Sequence, residues 1–188
     1  MAYTGLKNFY YAVLTDDAVE GTTTYSAPKR LGAAISLNET PTTSMNTLYA
    51  ENGPAETASA NGPTSAEVGV KDLSQEVRSD LLGQSINADG VLIQGREDKA
   101  PYVALGFQMT GESENDAFVW LYKGKFSRPT TAGTTKGESV EFSTPTISAT
   151  FIGRDSDGKE RASIIQDEAN TVVTDAWFTS VYEATPEV

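Results

Sequence analysis

Apolar and polar side chains alternate with a period of two along much of the chain, which predicts β-strands with one buried face. Over residues 64–71, Ala66, Val68 and Val70 point one way, and Ser65, Glu67, Gly69 and Lys71 the other. Residues 101–109 repeat the pattern with Val103, Leu105, Phe107 and Met109. After a polar turn at 112–116, Phe118, Trp120, Tyr122 and Phe126 are assigned to one face of the next strand, with Val119, Leu121, Lys123 and Lys125 opposite. Two long runs around a short polar turn predict a hairpin. Its core face is Val103, Leu105, Phe107, Phe118, Trp120 and Tyr122. Such an aromatic row can also serve as a platform for stacking sugars or bases, but core is the commoner use. A first strand is expected at 8–14, followed by a turn at 15–22. Shorter strands are expected at 23–26, 33–37 and 91–93. A further strand at 139–152 is interrupted by Pro145, which suggests a bulge or an edge, and 153–159 reads as a turn.

Two segments depart from this period. Residues 72–83 carry Leu73, Val77, Leu81 and Leu82 as an apolar stripe, with Asp72 and Gln75 at capping-box spacing and Gly83 as a stop. This predicts a flanking helix. A terminal helix is expected at 174–182, with Trp177, Phe178, Val181 and Tyr182 on one side. Residues 38–63 read differently: Thr, Ser, Asn, Pro, Ala and Gly dominate, and Met45, Leu48 and Tyr49 are the only large apolar side chains. A loop this long is uncommon inside a compact domain. It is either a loose surface loop or an arm that orders against a neighbouring subunit. In the second case Thr42, Met45, Leu48, Tyr49, Glu51 and Asn52 are its contact residues. The expected fold is one mainly-β domain over residues 1–188. It is an antiparallel sandwich or half-barrel with one flanking helix and a C-terminal helix.

Charge and composition narrow the function. The formal net charge is −12 with no histidine and no cysteine. Nucleic-acid affinity rests on Lys and Arg displacing counterions, so tight DNA or RNA binding is not expected. Without His or Cys there is no Ser-His-Asp or Cys-His nucleophile and no His- or Cys-ligated zinc. The segment 133–139 has glycine and lysine in the wrong order for a phosphate loop. The 26 acidic residues make a carboxylate pair imaginable, but nothing selects one, and solvated charge is the plain reading. Asp155, Ser156, Asp157 and Gly158 offer two aspartates where a calcium loop needs a longer ligand series; a turn fits better. The start of the chain lacks a basic and apolar leader, and no stretch is apolar enough to cross a bilayer. The expectation is a protein folded in a cytoplasm, with no enzymatic activity, cofactor, metal or membrane partner.

Several blocks in order carry a resemblance: NFYYAVLTDD, TLYAENGPAETA, EVGVKDLSQEVRSDLLG, APYVALGFQMTGESENDAFVWLYKGKFSRP, KGESVEFSTPTISATFIGRD and AWFTSVYE. Together they resemble the major tail proteins of bacteriophages with long, non-contractile tails that infect Gram-positive bacteria. The resemblance implies a β-sandwich with a flanking helix that forms hexameric rings. Those rings would stack into a hollow tail tube through which genomic DNA passes to the host. The implied partners are other copies of the chain and the tail tip or baseplate, tape measure and tail terminator proteins. The implied location is the virion tail, after a stay in the host cytoplasm. A channel-lining sheet face would be expected to cluster Glu and Asp. The alternatives are another ring-forming virion component, such as a terminator or neck protein, and a carbohydrate-binding sandwich. The last would require exposed aromatics at Trp120 or Tyr122.

Overall fold

The computed structural model describes all residues except 1, 20, 113–114, 131–132, 134, 136–142 and 185–188. The fold is mainly β, as expected, with a large antiparallel sheet and two short helices. The strands are β1 (Tyr3–Asp16), β2 (Thr24–Tyr25), β3 (Lys29–Gly32), β4 (Ala34–Ala50), β5 (Gly53–Val70), β6 (Ser85–Ile86), β7 (Leu92–Ile93), β8 (Val103–Gly111), β9 (Ala117–Phe126), β10 (Thr146–Ile152) and β11 (Arg161–Ile165). The helices are α1 (Gln75–Leu82) and α2 (Thr171–Asp175). The main sheet runs β2-β1-β8-β9-β10-β5-β4. β3 and β4 are separated by Ala33 alone; β3 pairs with β1 and β4 with β5. The sheet therefore rolls up on itself through that corner, as a barrel whose interior is the main core.

That interior holds Phe9, Tyr11, Leu31, Val68, Val70, Val103, Leu105, Phe107, Val119, Leu121, Ile147 and Phe151, with Val77, Leu81 and Leu82 of α1 packed against it. A second cluster lies on the outer side of β1, β8 and β9: Ala12, Ala104, Phe118, Trp120 and Tyr122, covered by Trp177 and Val181. The expected core face is thus buried throughout, but divided. Val103, Leu105 and Phe107 point into the barrel, while Phe118, Trp120 and Tyr122 point outward beneath the C-terminal segment. Val119 and Leu121 are buried as well, because β9 is covered on both faces. Phe126 belongs to the inner cluster and not with Trp120. The register shifts from Leu105↔Leu121 to Val103↔Gly124, so β9 carries one extra residue there. A bulge of one residue reverses which face every later side chain occupies.

Four expectations need correction. Residues 38–63 are not a loop: they lie in two long paired strands, β4 and β5. The flanking helix starts at Gln75, with Ser74 as its cap; the Ser74 hydroxyl accepts from the Val77 N–H at 3.3 Å. Leu73 therefore precedes the helix, half-buried against the core, while Gly83 ends it as expected, at φ 67. The terminal helix expected over 174–182 does not form: α2, Thr171–Asp175, shares only Thr174 and Asp175 with it, and 176–182 run as turns and irregular chain. Beyond α2 the Trp177 carbonyl accepts from the Trp120 indole at 3.0 Å and the Tyr182 carbonyl from the Tyr122 hydroxyl at 2.8 Å. Backbone groups that a helix would use internally are engaged by the sheet. The strand expected over 139–152 is seen from Thr146 onward, and 139–142 lie outside the described residues.

Candidate assembly surface

The most conspicuous feature outside the barrel is the ribbon formed by the outer parts of β4 and β5. Pairing continues from Pro41↔Thr64 at the barrel through Thr43↔Asn61, Met45↔Ser59 and Thr47↔Thr57 to Ala50↔Gly53 at the tip. At 3.3–3.4 Å per residue it projects roughly 33 Å. Threonine-rich sequence suits a pleated strand. Glu51 (φ 50) and Asn52 (φ 65) turn the chain in the left-handed region, which suits a two-residue hairpin turn. The sequence signal for this element was Asn52, a residue that tolerates the left-handed region, placed after a threonine-rich run.

Almost every ribbon residue is exposed. Met45 is 72% exposed, Leu48 62% and Tyr49 70%. Of the six expected contact residues, Thr42 lies near the barrel, across from Gly62, and the other five lie in the outer part and at the tip. Met45 and Tyr49 share one face by the two-residue period and Leu48 takes the other. No Lys or Arg occurs between Leu31 and Val70, whereas Glu51 and Glu56 lie at or near the tip. The ribbon is therefore a bare, weakly acidic rod with apolar side chains on both faces.

The rest of the outer surface divides in two. Over β1, β8 and β9 the outer face is covered by the C-terminal segment: Tyr10 stacks on Phe178 at 4.7 Å and Trp177 on Tyr182 at 5.0 Å. Trp120 and Tyr122 are 0% and 1% exposed, so the exposed aromatics required of a carbohydrate platform do not occur at those positions. Over β4, β5 and β10 the outer face is bare. It presents Asn38, Thr40, Ser65, Glu67, Thr146, Ser148 and Thr150. This face is rich in hydroxyls and contains one carboxylate; it lacks the expected cluster of Glu and Asp.

The charged groups that are buried serve the fold. The Lys123 ammonium, 3% exposed at the β9 bulge, meets Asp17 and Asp155 at 2.7 Å each. Burial would raise the Asp17 carboxyl, but Lys123 and the backbone N–H groups of Asp155 and Ser156 outweigh it and hold the group down at about 2. Arg154 lies over the Tyr122 ring at 4.1 Å. It donates to both Asp157 oxygens at 3.0 and 2.5 Å, and to Glu183 at 2.6 Å. Burial pushes the Tyr122 phenol up to about 12. The Asp155–Gly158 segment is thus a turn whose carboxylates are taken by Lys123 and Arg154 and do not converge on an ion. Among the described residues, no group of three or more acidic side chains is arranged to hold a metal, and no described helix is long and apolar enough to cross a membrane. The sequence matches no protein-family model and no curated protein.

Proposed function

We propose that this chain is a structural subunit of a bacteriophage tail tube, which assembles as hexameric rings that stack into a hollow conduit for DNA. The observation that carries the reading is the ribbon. An isolated two-stranded hairpin is marginally stable in water, and three or more strands or a packed face are needed to hold one. A rod of roughly 33 Å with Met45, Leu48 and Tyr49 in solvent is an element that gains its stability on a neighbouring subunit. The ordered sequence blocks and the mainly-β fold with one flanking helix support the same reading.

The surfaces suit the task. The bare hydroxyl-bearing face of β4, β5 and β10 is the wall turned toward the channel, where one polar face of an antiparallel sheet meets water. With few cations it offers little hold on a phosphate backbone. The covered face of β1, β8 and β9 is turned outward. Joining sheets around a ring satisfies edges that would otherwise invite aggregation. Tail tip, tape measure and terminator proteins are the remaining partners of such a tube.

The test is to replace residues 42–63 by a two-residue Asn-Gly turn, which joins Pro41 directly to its partner Thr64. The expected product is a folded monomer, with the cooperative unfolding and buried-tryptophan fluorescence of the parent barrel, that forms neither rings nor tubes. Normal tubes from this variant overturn the reading.

A further inference from the structure

The tripeptide Asn-Gly-Pro occurs twice, at 52–54 and 61–63, and both copies lie on the ribbon. Asparagine followed by glycine is a sequence in which a chain can modify itself, because glycine has no Cβ to screen its amide nitrogen. That nitrogen attacks the asparagine Cγ and loses its proton. A succinimide ring closes, and the side-chain amide nitrogen leaves as ammonia. Water then adds to one of the two ring carbonyls. Opening at Cγ gives aspartate. Opening at the main-chain carbonyl gives isoaspartate, whose backbone runs through the former side chain and is longer by one methylene. Either product carries a new carboxylate, and the reaction needs only water.

Folding sets the two copies apart. Ring closure brings the glycine nitrogen onto the asparagine Cγ, which pulls the glycine out of the strand ladder. At the tip this breaks one rung: Gly53 pairs with Ala50 as the last pair, and Asn52 is already in the turn. The next residue, Pro54, has no N–H to give to β4, and the register slips between Leu48 and Tyr49. Asn52 is exposed, and a Cβ added at Gly53 would meet nothing within 4 Å. Asn61 lies at the barrel end of the same ribbon. It pairs with Thr43, and beyond it the buried Thr64 pairs with Pro41 on one side and with Phe151 of β10 on the other. Residues 62–63 form a bulge between these rungs, but the chain is held on both sides of it, and a Cβ at Gly62 would stand 3.4 Å from the Thr42 side chain. A two-stranded ribbon opens from its free end. Asn61 is therefore released only after every rung from Ala50↔Gly53 to Ser44↔Ala60 has parted.

We infer that Asn52 is a site of spontaneous deamidation and isomerisation, and that the fold spares Asn61 in the same tripeptide. The reaction puts a second carboxylate beside Glu51. As isoaspartate it also lengthens a two-residue turn whose residues both lie in the left-handed region, and so unseats the Ala50↔Gly53 rung. The ribbon tip thus changes with the age of the chain, while the barrel is untouched.

The test follows the full-length protein, held dilute in warm, mildly alkaline buffer and sampled over time by peptide mapping. Cleavage after Glu51, Glu56 and Glu67 places the two asparagines in separate peptides. The Asn52 peptide is expected to gain about 1 Da and to split into two products of equal mass. The Asn61 peptide should lag by about tenfold or more. In concentrated urea, where both tripeptides lose their surroundings, the two rates should draw level. Gly53→Ala should slow the reaction at Asn52 by about tenfold and leave the unfolding midpoint of the barrel where it is. Equal rates in the folded chain, or a faster Asn61, overturn the inference. So does an Asn52 that stays intact in the folded chain, whether or not it reacts in urea.

Discussion

Replacing Trp177 by Ala measures how firmly the C-terminal segment is bound to the barrel. Trp177 is 2% exposed, stacked on Tyr182 at 5.0 Å and edge-on to Phe118 at 6.4 Å. A buried tryptophan removes about 150–250 Å² from water. At ~25 cal/mol/Å² that is worth about 4–6 kcal/mol as an upper figure. The two ring contacts add about 0.5–1.5 kcal/mol each. One term opposes these: the indole Nε1 is buried and finds no acceptor among the described residues, which costs about 1–3 kcal/mol that truncation relieves. The expected loss is about 4 kcal/mol, within the range of about 3–5 kcal/mol found for such truncations. The assay is urea unfolding followed through the fluorescence of Trp120, the other tryptophan. Val172→Ala, at a side chain 81% exposed, is the control and should stay within about 0.5 kcal/mol of the parent. Trp177→Phe keeps most of the contact area and removes the orphaned N–H, so it should cost far less than the alanine. A loss under about 1 kcal/mol for Trp177→Ala would refute the view that this segment completes the second core.

Acid should weaken the fold through Asp17. Its carboxyl is held at about 2 against about 4 in an unfolded chain, so its contribution is complete above pH 4 and is lost as pH falls toward 2. In Asp17→Asn the pH dependence of unfolding between those values should flatten; an unchanged slope would assign the acid sensitivity to other groups. Gly106→Ala should cost about 1–3 kcal/mol, because a Cβ there would stand 2.7 Å from the rigid Trp120 ring; a neutral result in thermal melts contradicts the close packing of β8 on β9. Ser74→Ala removes the acceptor for the Val77 N–H and should lower stability by about 1 kcal/mol, whereas Asp72→Ala, at the residue the sequence favoured as cap, should do much less.

The barrel was legible because its strands alternate: Ala66, Val68 and Val70, then Val103, Leu105 and Phe107, point inward as the pattern requires. The helix core Val77, Leu81 and Leu82 was legible for the same reason at helical spacing. The ribbon was not, because alternation reports a buried face and the ribbon has none; a strand exposed on both sides resembles a loop in composition. Phe126 was misplaced because a one-residue bulge leaves no mark in hydropathy. Lys123, at that same bulge, reads as surface, and its burial depends on Asp17 and Asp155, distant in sequence. The C-terminal segment has helical spacing, but Trp120 and Tyr122 engage its carbonyls. Strand β11 was missed because Arg161, Ser163 and Ile165 are exposed and only Ala162 and Ile164 pack, against the outer cluster beneath the C-terminal segment.

Electron microscopy of the purified full-length chain, concentrated and unaided by other virion proteins or seeded with tail tips, tests the central claim most directly. The account predicts hollow, evenly striated tubes built from stacked rings. Uniform single rings would point instead to a terminator-like component, and isolated monomers under both conditions would contradict a tube-forming subunit altogether.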